Sequence, residues 1–586
     1  MNLVKSINNK PKLLSIAAMF MVAACSSGDS KSNTGQNAPV TTNPTTPAPT
    51  NKPVASQVFI NGAIYTVNSQ QEWAQAIAIK DNEILYVGTN EGVNEYTNSA
   101  TKTVDLDGKM VLPGLHDVHI HPIESGSANT VFTLETDELD PENFADVIAQ
   151  AAADNPDVDW LIGYGHDVFT LLEATRPPVE IIDDVVADRP VIIMEQTSHS
   201  MWANSKALEL AGINSNTPDP IGGMIMRDEI TGEPNGVLID NAGNIVYDLA
   251  LQPTPETQQN DYQGLVQYTM PELSKNGITS ISDARSFWRR DDHLTWIKAN
   301  DNNELTLRVN VGLWAYPEVD DASQLQALKE LYTNDSDSLL KFNQIKLYSD
   351  GLLSNGTAAL HEPYLVDMIG LAGNRGLNYF DESRLAYYIE QLEPVGFDFH
   401  IHAIGDRGIH EALNAIETSG SVRGRHRLTH VEIMDPADYT RFAELNVTAD
   451  AQTAGDFSKP SHWHENDEII GPVRADNAIP IKSLTEAGAR VTLSSDWSVN
   501  PFNPFIGLQN AVTRAPQELT LAQAIRAYTM NGAYTMKQED KVGSIEAGKL
   551  ADFIVIDQNL FEISETAINK TKVLMTYFDG ELVYQR

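Results

Sequence analysis

A chain of 586 residues can build one large barrel with additions, or several domains. Its 40 Lys and Arg against 80 Asp and Glu leave a net charge of −40, which argues against nucleic acid and anionic lipid headgroups as partners, since both repel such a surface. The lone cysteine, Cys25, rules out a disulfide within the chain and, lying ahead of the globular body, a cysteine nucleophile.

Lys5, Lys10 and Lys12 form a positive leader, and residues 13–24 are apolar but too short to span a bilayer comfortably. Val22-Ala23-Ala24-Cys25 resembles a bacterial lipobox. The resemblance implies a signal peptide over 1–24, cleavage before Cys25 and lipidation of its thiol, which anchors the protein to a membrane. Ser26 in place of Asp implies the outer membrane, facing the periplasm or the cell surface. Residues 25–56 are Ser, Thr, Asn, Pro and Gly with little to bury, the composition of a disordered tether.

From Gln57 short alternating segments follow, with turn signals at Asn61-Gly62, Asp81-Asn82 and Asp107-Gly108. Residues 540–586 have the same texture, with Asp579-Gly580 as a turn. Neither piece is large enough alone, so 57–112 and 540–586 are predicted to form one composite β-sandwich.

Between them, strand and helix alternate. Eight strands are predicted, within VLPGLHDVHIH, GITSISDA, TLRVNVGLWAY, FNQIKLYSDG, FDFHIHAI, RHRLTHVEI, NVTADAQT and RVTLSSDWS. QLQALKELYTN, ESRLAYYIEQLEPVG and GIHEALNAIETSG are among the helices between them. This is the α/β pattern of a (β/α)8 TIM-type barrel over 113–539, with its active site at the C-terminal strand ends. The stretch from His121 to Gly277 far exceeds one connection. Residues 124–262 are therefore predicted to be an insertion over the barrel mouth that shapes the substrate pocket.

The strand ends carry the chemistry. His119 and His121 are two apart in a strand and share a face, as two nitrogen ligands of a divalent metal would. Lys346 sits in IKLYSDG, His400 and His402 in FHIHAIGDRG, His426 and His430 in RHRLTHVE, and Asp496 in LSSDWSVNP. Parity does not separate the paired histidines, but depth does: His402 and His430 lie nearer the C-terminal face, leaving His400 and His426 as packing residues. Asp350 and Asp406-Arg407 are expected to form structural ion pairs, and His462 and His464 to lie in a loop at the pocket rim. Trp160, Tyr164 and Trp497 are candidates to line an apolar pocket.

LPGLHDVHIHP, KLYSDG, HIHAIGDR, LTHVE, SSDWSVNP, LTLAQAIRAYTMNGAY and GSIEAGKLADFIVID together resemble the amidohydrolase superfamily. TSHSMWANSKALELAGI and GGMIMRD…GEPNGVLID resemble, within it, the branch that includes the N-substituted formamide deformylases. The resemblance runs over 57–586. It implies a divalent metal, zinc or a similar ion, at one or two per chain. His119, His121 and Asp496 would hold one ion, and His402 and His430 a second. Lys346 matches the lysine that is carboxylated in binuclear members. An unmodified ammonium has no lone pair to offer, so an unmodified Lys346 would favour a single ion. His199, Asn204 and Trp497 are candidate substrate contacts. His116 ahead of the metal motif and LTHVE in place of the more frequent IEH depart from the family pattern without removing a ligand.

The activity so implied is hydrolysis of a non-peptide carbon–nitrogen bond in a small-molecule amide, of N-formyl or N-acyl amine type. A metal-activated hydroxide would attack, and Asp496 would shuttle its proton to the leaving amine. Ester or lactone hydrolysis on the same site, and a catalytically silent, lipid-anchored binding protein of the same fold, are the alternatives. Loss of a ligand would favour the silent protein, and none is missing. A homo-oligomer is compatible with the sequence.

Overall fold

The structure, a computed structural model, describes residues 52–366, 368–459, 462 and 466–586. Cys25, the leader, the tether up to residue 51 and His464 lie outside the described residues. Among the described residues no helix is long and apolar enough to cross a membrane.

Eight parallel strands form the central sheet, each hydrogen-bonded to the next in chain order. They are β1 (Leu115–Ile120), β2 (Ile278–Ser286), β3 (Arg308–Trp314), β4 (Leu340–Tyr348), β5 (Asp398–Ala403), β6 (Arg427–His430), β7 (Thr448–Gln452) and β8 (Arg490–Ser494). All eight coincide with predicted strands. Nearly every residue in them is buried, as expected of parallel strands covered on both faces. The outer helices follow amphipathic runs: Glu382–Leu392, for example, is capped by the Asp381 carboxylate accepting from Arg384 N and buries Leu385, Tyr388 and Ile389.

Residues from both chain ends build a second body. A four-stranded sheet holds Gln57–Ile60, Ala76–Lys80, Glu83–Gly88 and Lys102–Asp105. A six-stranded sheet joins Ala63–Tyr65, Trp73–Ala74 and Met110–Pro113 to Phe553–Ile556, Val573–Phe578 and Glu581–Gln585. Phe59 meets Phe553 at 5.0 Å and Tyr577 at 4.9 Å, edge to face, within the apolar layer shared by the two sheets. Two of the four turn signals do not make hairpins. Asp81-Asn82 and Asp579-Gly580 join antiparallel neighbours, but Asn61-Gly62 and Asp107-Gly108 carry the chain from one sheet to the other. Phe59 and Ile64, and likewise Leu106 and Val111, lie in the same layer from opposite sheets, so the chain must change sheet at each turn. Asn61 and Asp107 both have positive φ, as a sharp turn requires.

Arg308 ties this body to the barrel. Its guanidinium bonds the Asp552 carboxylate with two nitrogens, at 3.1 and 3.2 Å, and Asp579 at 3.1 Å. Asp552 is buried, and burial raises its carboxyl. Arg308→Ala strands that carboxylate, so we expect a loss of about 3–5 kcal/mol. A denaturant midpoint unchanged from wild type would contradict this.

The stretch between β1 and β2 has its own sheet, in the order Gly223–Arg227, Pro234–Asp240, Ser200–Ala203, Val191–Met194, Leu161–Gly165, Phe132–Leu134. Helices Ala145–Asp154 and Pro178–Val185 pack on one face, and Asn241–Ala250 on the other.

Candidate active site

Barrel closure brings the first and last predicted ligands together. Just past β8, Asp496 N–H donates to His119 O at 2.8 Å, and His121 N–H donates to Trp497 O at 2.9 Å. Asp496 Oδ1 then lies 3.1 Å from His119 Nε2 and 3.0 Å from His121 Nε2. His430, at the end of β6, completes a group in which ligand atoms of His119, His430 and Asp496 all lie within 4.8 Å of one another. Asp496 has φ 58° and His430 φ 79°. Such left-handed backbone costs of order 1–3 kcal/mol per residue and gathers at functional sites.

His402 and Lys346 border this group. The His402 ring centroid is 4.3 Å from that of His430, and its Nε2 meets Gly351 O at 3.2 Å. Its Nδ1 is buried without a hydrogen-bond partner, and so is Lys346 Nζ. Burial pushes His430 down to about 3 and holds His119 and His402 well below the usual imidazole value. Burial likewise depresses Lys346 well below an ordinary lysine. Burial alone would raise Asp496, but His119 and His121 outweigh it and hold it well below the carboxylate range. Neutral imidazoles, an ionised carboxylate and orphaned buried nitrogens are the donor set a divalent metal requires. The residues present fit such an ion.

Below the group lies a polar layer that includes His400, expected from its depth in the strand to be a packing residue. Arg427 donates to His400 Nδ1 at 2.7 Å, and His400 Nε2 meets His119 Nδ1 at 2.8 Å. The ring of His119 is thereby turned with Nε2 toward Asp496, the orienting contact metal-binding histidines rely on. Asp450 accepts from Thr429, Gln452, Thr492 and Ser494 and fixes the ends of β6, β7 and β8. His426 is structural, accepting from Phe399 N at 3.0 Å.

Arg285, at the end of β2, donates to Glu124 through Nε and a terminal nitrogen, and to Tyr348 Oη at 2.8 Å. Glu124 also lies 3.5 Å from His121 Nδ1. The signal for Arg285 was available, since it directly follows GITSISDA at a C-terminal strand end. For Glu124 the signal was its place three residues after His121.

A cavity of ≈ 630 Å³ opens above the group, lined by the barrel ends, by Asp167 and Gln196 to His199 of the insertion, and by Leu352, Glu432, Phe457 and Asn500. His199 Nδ1 lies 2.6 Å from Asp240 Oδ1, and its ring stacks on Tyr348 with centroids 5.2 Å apart. Burial, with Asp350 and Asp496 near, raises Glu432 to about 8.

Two expected contacts fall elsewhere. Asn204 caps helix Ser205–Ala211: its Oδ1 accepts from Ala207 N and Val191 N, and its Nδ2 donates to Val186 O and Arg189 O. All its polar capacity is used inside the insertion. Trp497 packs on Phe502 at 4.7 Å and is not on the cavity wall. Trp160 faces a separate groove, while Tyr164 donates to Gln196 O at 2.7 Å. Arg407 pairs with Glu411 at 3.1 Å. Among the described residues Asp350 has no ion-pair partner; it accepts from the backbone of Ala359, Ile404 and Gly405, clamping the loop after β4 to that after β5.

Comparison with known proteins agrees with this geometry. The amidohydrolase family model matches residues 102–584. The putative amidohydrolase YtcJ of Bacillus subtilis is 29% identical over 553 residues, covering 90% of this chain and 99% of that protein. An N-substituted formamide deformylase of Arthrobacter pascens is 26% identical over 548 residues, covering 90% and 98%. An uncharacterized metal-dependent hydrolase from Pyrococcus horikoshii has the same fold, with TM-score 0.68, 24% identity, and coverage of 87% of this chain and 99% of that one. With the barrel, the buried histidine–aspartate group and a family match over most of its length, the chain belongs to the amidohydrolase family of hydrolases.

Proposed function

We propose that this protein hydrolyses the carbon–nitrogen bond of a small amide, of the N-formyl or N-acyl amine type, at the group around Asp496. The observation that carries this is the convergence of His119, His121 and His430 on one buried carboxylate at the floor of a cavity large enough for a small molecule. The formamide deformylase similar over 90% of this chain supports the choice of bond.

His119, His121 and Asp496 would hold one ion. His402 and His430 would hold a second together with Lys346, once its amine is carboxylated. Held there, a divalent ion, zinc or similar, supplies Lewis acidity toward a carbonyl and toward water. The chain's residues do the rest. Asp496, ionised and on the cavity wall, accepts a proton from the attacking water at Oδ2, the oxygen the two histidines leave unengaged, and returns it to the departing amine nitrogen. Arg285 and Glu124 fix the ring of Tyr348 and the flank of His121. The insertion covers the mouth and limits water.

Metal-reconstituted protein, screened on N-formyl and N-acyl amines, cyclic amides and lactones, should turn over the acyclic amides. Chelation should remove at least about 100-fold of that activity, and readdition of the ion should restore it. Full activity after complete metal removal would reject this reading. Preference for lactones would move the assignment to ester chemistry. The sequence also supports a lipid anchor at Cys25, and Cys25→Ser should release the protein from membranes. Retention would remove the anchor.

A further inference from the structure

We propose that His199, held by Asp240 and Tyr348, accepts the N–H of the scissile amide at its Nε2, so that the site selects secondary amides over N,N-disubstituted ones. This rests on the amide-hydrolase reading above and names the form of amide that the site takes.

The ring of His199 is fixed on an edge and a face. Its Nδ1 lies 2.6 Å from Asp240 Oδ1, and Asp240 N–H donates back to His199 O at 2.7 Å. Its face stacks on Tyr348 with the two ring planes 13° apart. Tyr348 is held in turn by Arg285, which donates to its Oη at 2.8 Å. His199, Asp240 and Tyr348 are all buried. Ser198, just ahead of His199, has φ 62°, and Asp240 has φ 52°. Left-handed backbone is costly for residues other than glycine and persists where the surrounding structure imposes it, most often at functional sites. Here it falls at both ends of the contact that orients His199.

One polar atom of that ring is left over. A neutral imidazole bonded to a carboxylate through Nδ1 carries its proton there and offers a lone pair at Nε2. Among the described residues no group bonds His199 Nε2, and the residue lines the cavity, where the atom is open to a ligand. The neighbours of His199 in the insertion are committed to each other: Asp167 accepts from Phe169 N and Gln196 Nε2, and Thr197 Oγ1 donates to Glu195. The ring of His199 lies 5.1 Å from that of His402, centroid to centroid, beside the metal-binding group rather than at the rim. A substrate on that group meets Asp496 from the barrel and His199 from the insertion. With its N–H held by His199, the amide nitrogen keeps its other side free. There the lone pair develops as the carbonyl carbon becomes tetrahedral, and there it takes the proton from Asp496. An N-methyl group in place of the N–H has nothing to donate and leaves Nε2 without a partner.

The test uses the full metal-reconstituted enzyme and three matched formyl compounds: N-butylformamide, N-butyl-N-methylformamide and butyl formate. In wild type, kcat/KM for the secondary amide should exceed that for the tertiary one by about tenfold to a hundredfold. His199→Phe keeps a ring to stack on Tyr348 but has no acceptor. It should lose about that factor on the secondary amide and far less on the tertiary amide and the ester, with metal content as in wild type. Asp240→Asn leaves His199 in place. Its amide can donate to Nδ1 and so move the ring proton to Nε2, and it should lower the same ratio of secondary to tertiary amide. A loss shared equally by all three compounds, as a structural role or a bond to the carbonyl oxygen would give, overturns the inference while leaving the amide-hydrolase reading intact. So does a loss that tracks loss of metal, a wild-type ratio near one, or a ratio unmoved in both variants, the mark of a methyl group excluded by its size. Failure to cleave either amide overturns both.

Discussion

Asp496→Asn is expected to lower kcat by about a thousandfold, within the ~10²–10⁴ that a positioned proton-transfer group contributes. The substitution is isosteric and keeps one oxygen for the donors now on Oδ1, so folding and most of the metal content should survive. What it removes is the ability to take up and return a proton. In wild type, His119 and His121 together outweigh burial and keep the carboxyl ionised, ready to accept. An amide cannot accept that proton, whatever its position. Steady-state rates with metal content measured on the same samples decide the matter. Wild-type turnover in a metal-replete variant would end the proton-shuttle assignment. If loss of activity tracks loss of metal, Asp496 acts as a ligand alone.

The prediction depends on Asp496 standing between two histidines more than 370 residues earlier in the chain, and the sequence made that neighbourhood readable for a specific reason. In a closed parallel barrel the first and last strands must meet, so groups at the ends of β1 and β8 are neighbours by topology. His119, His121, His430 and Asp496 all sit at such ends. Side-chain direction is a different matter. His400 and His402 share a strand face, yet one supports His119 from below while the other points at Gly351 O. Asn204 lies in a motif rich in polar residues, but its role is set by the helix that begins at Ser205. Asp350 looked like half of an ion pair because carboxylates in loops often are; here three backbone N–H groups took it instead. Asn61-Gly62 and Asp107-Gly108 announced turns correctly but not that the chain would change sheet, because pairing is decided by the distant strand Phe553–Ile556. Arg285 and Glu124 belong to a pair separated by 161 residues, and nothing local to either names the other.

Lys346→Met is expected to make the metal-free protein more stable near neutral pH while removing at least about 100-fold of activity. Lys346 is completely buried and its Nζ has no hydrogen-bond partner, so in the absence of metal the chain encloses an amine with nothing to bond. Burial depresses its pKa well below the unfolded value. Between the depressed folded pKa and the unfolded value near ~10.4, the unfolded chain binds a proton that the folded chain does not. Stability from this group therefore rises with pH across that window, by up to about 1.4 kcal/mol per pH unit, and is lowest on its acid side. Methionine fills nearly the same volume without a charge to desolvate, so it should remove this slope and relieve the penalty. The comparison is made between wild type and variant at each pH, so other titrating groups cancel. Urea midpoints of the chelated proteins at neutral and mildly alkaline pH give the slopes, and metal analysis of the reconstituted ones gives the ions held. Parallel slopes would show that Lys346 keeps its proton in the folded metal-free chain. A variant that retains full metal and full activity would remove Lys346 from the site. The expected outcome, more stable but inactive, is what a residue kept for chemistry at the expense of the fold should give.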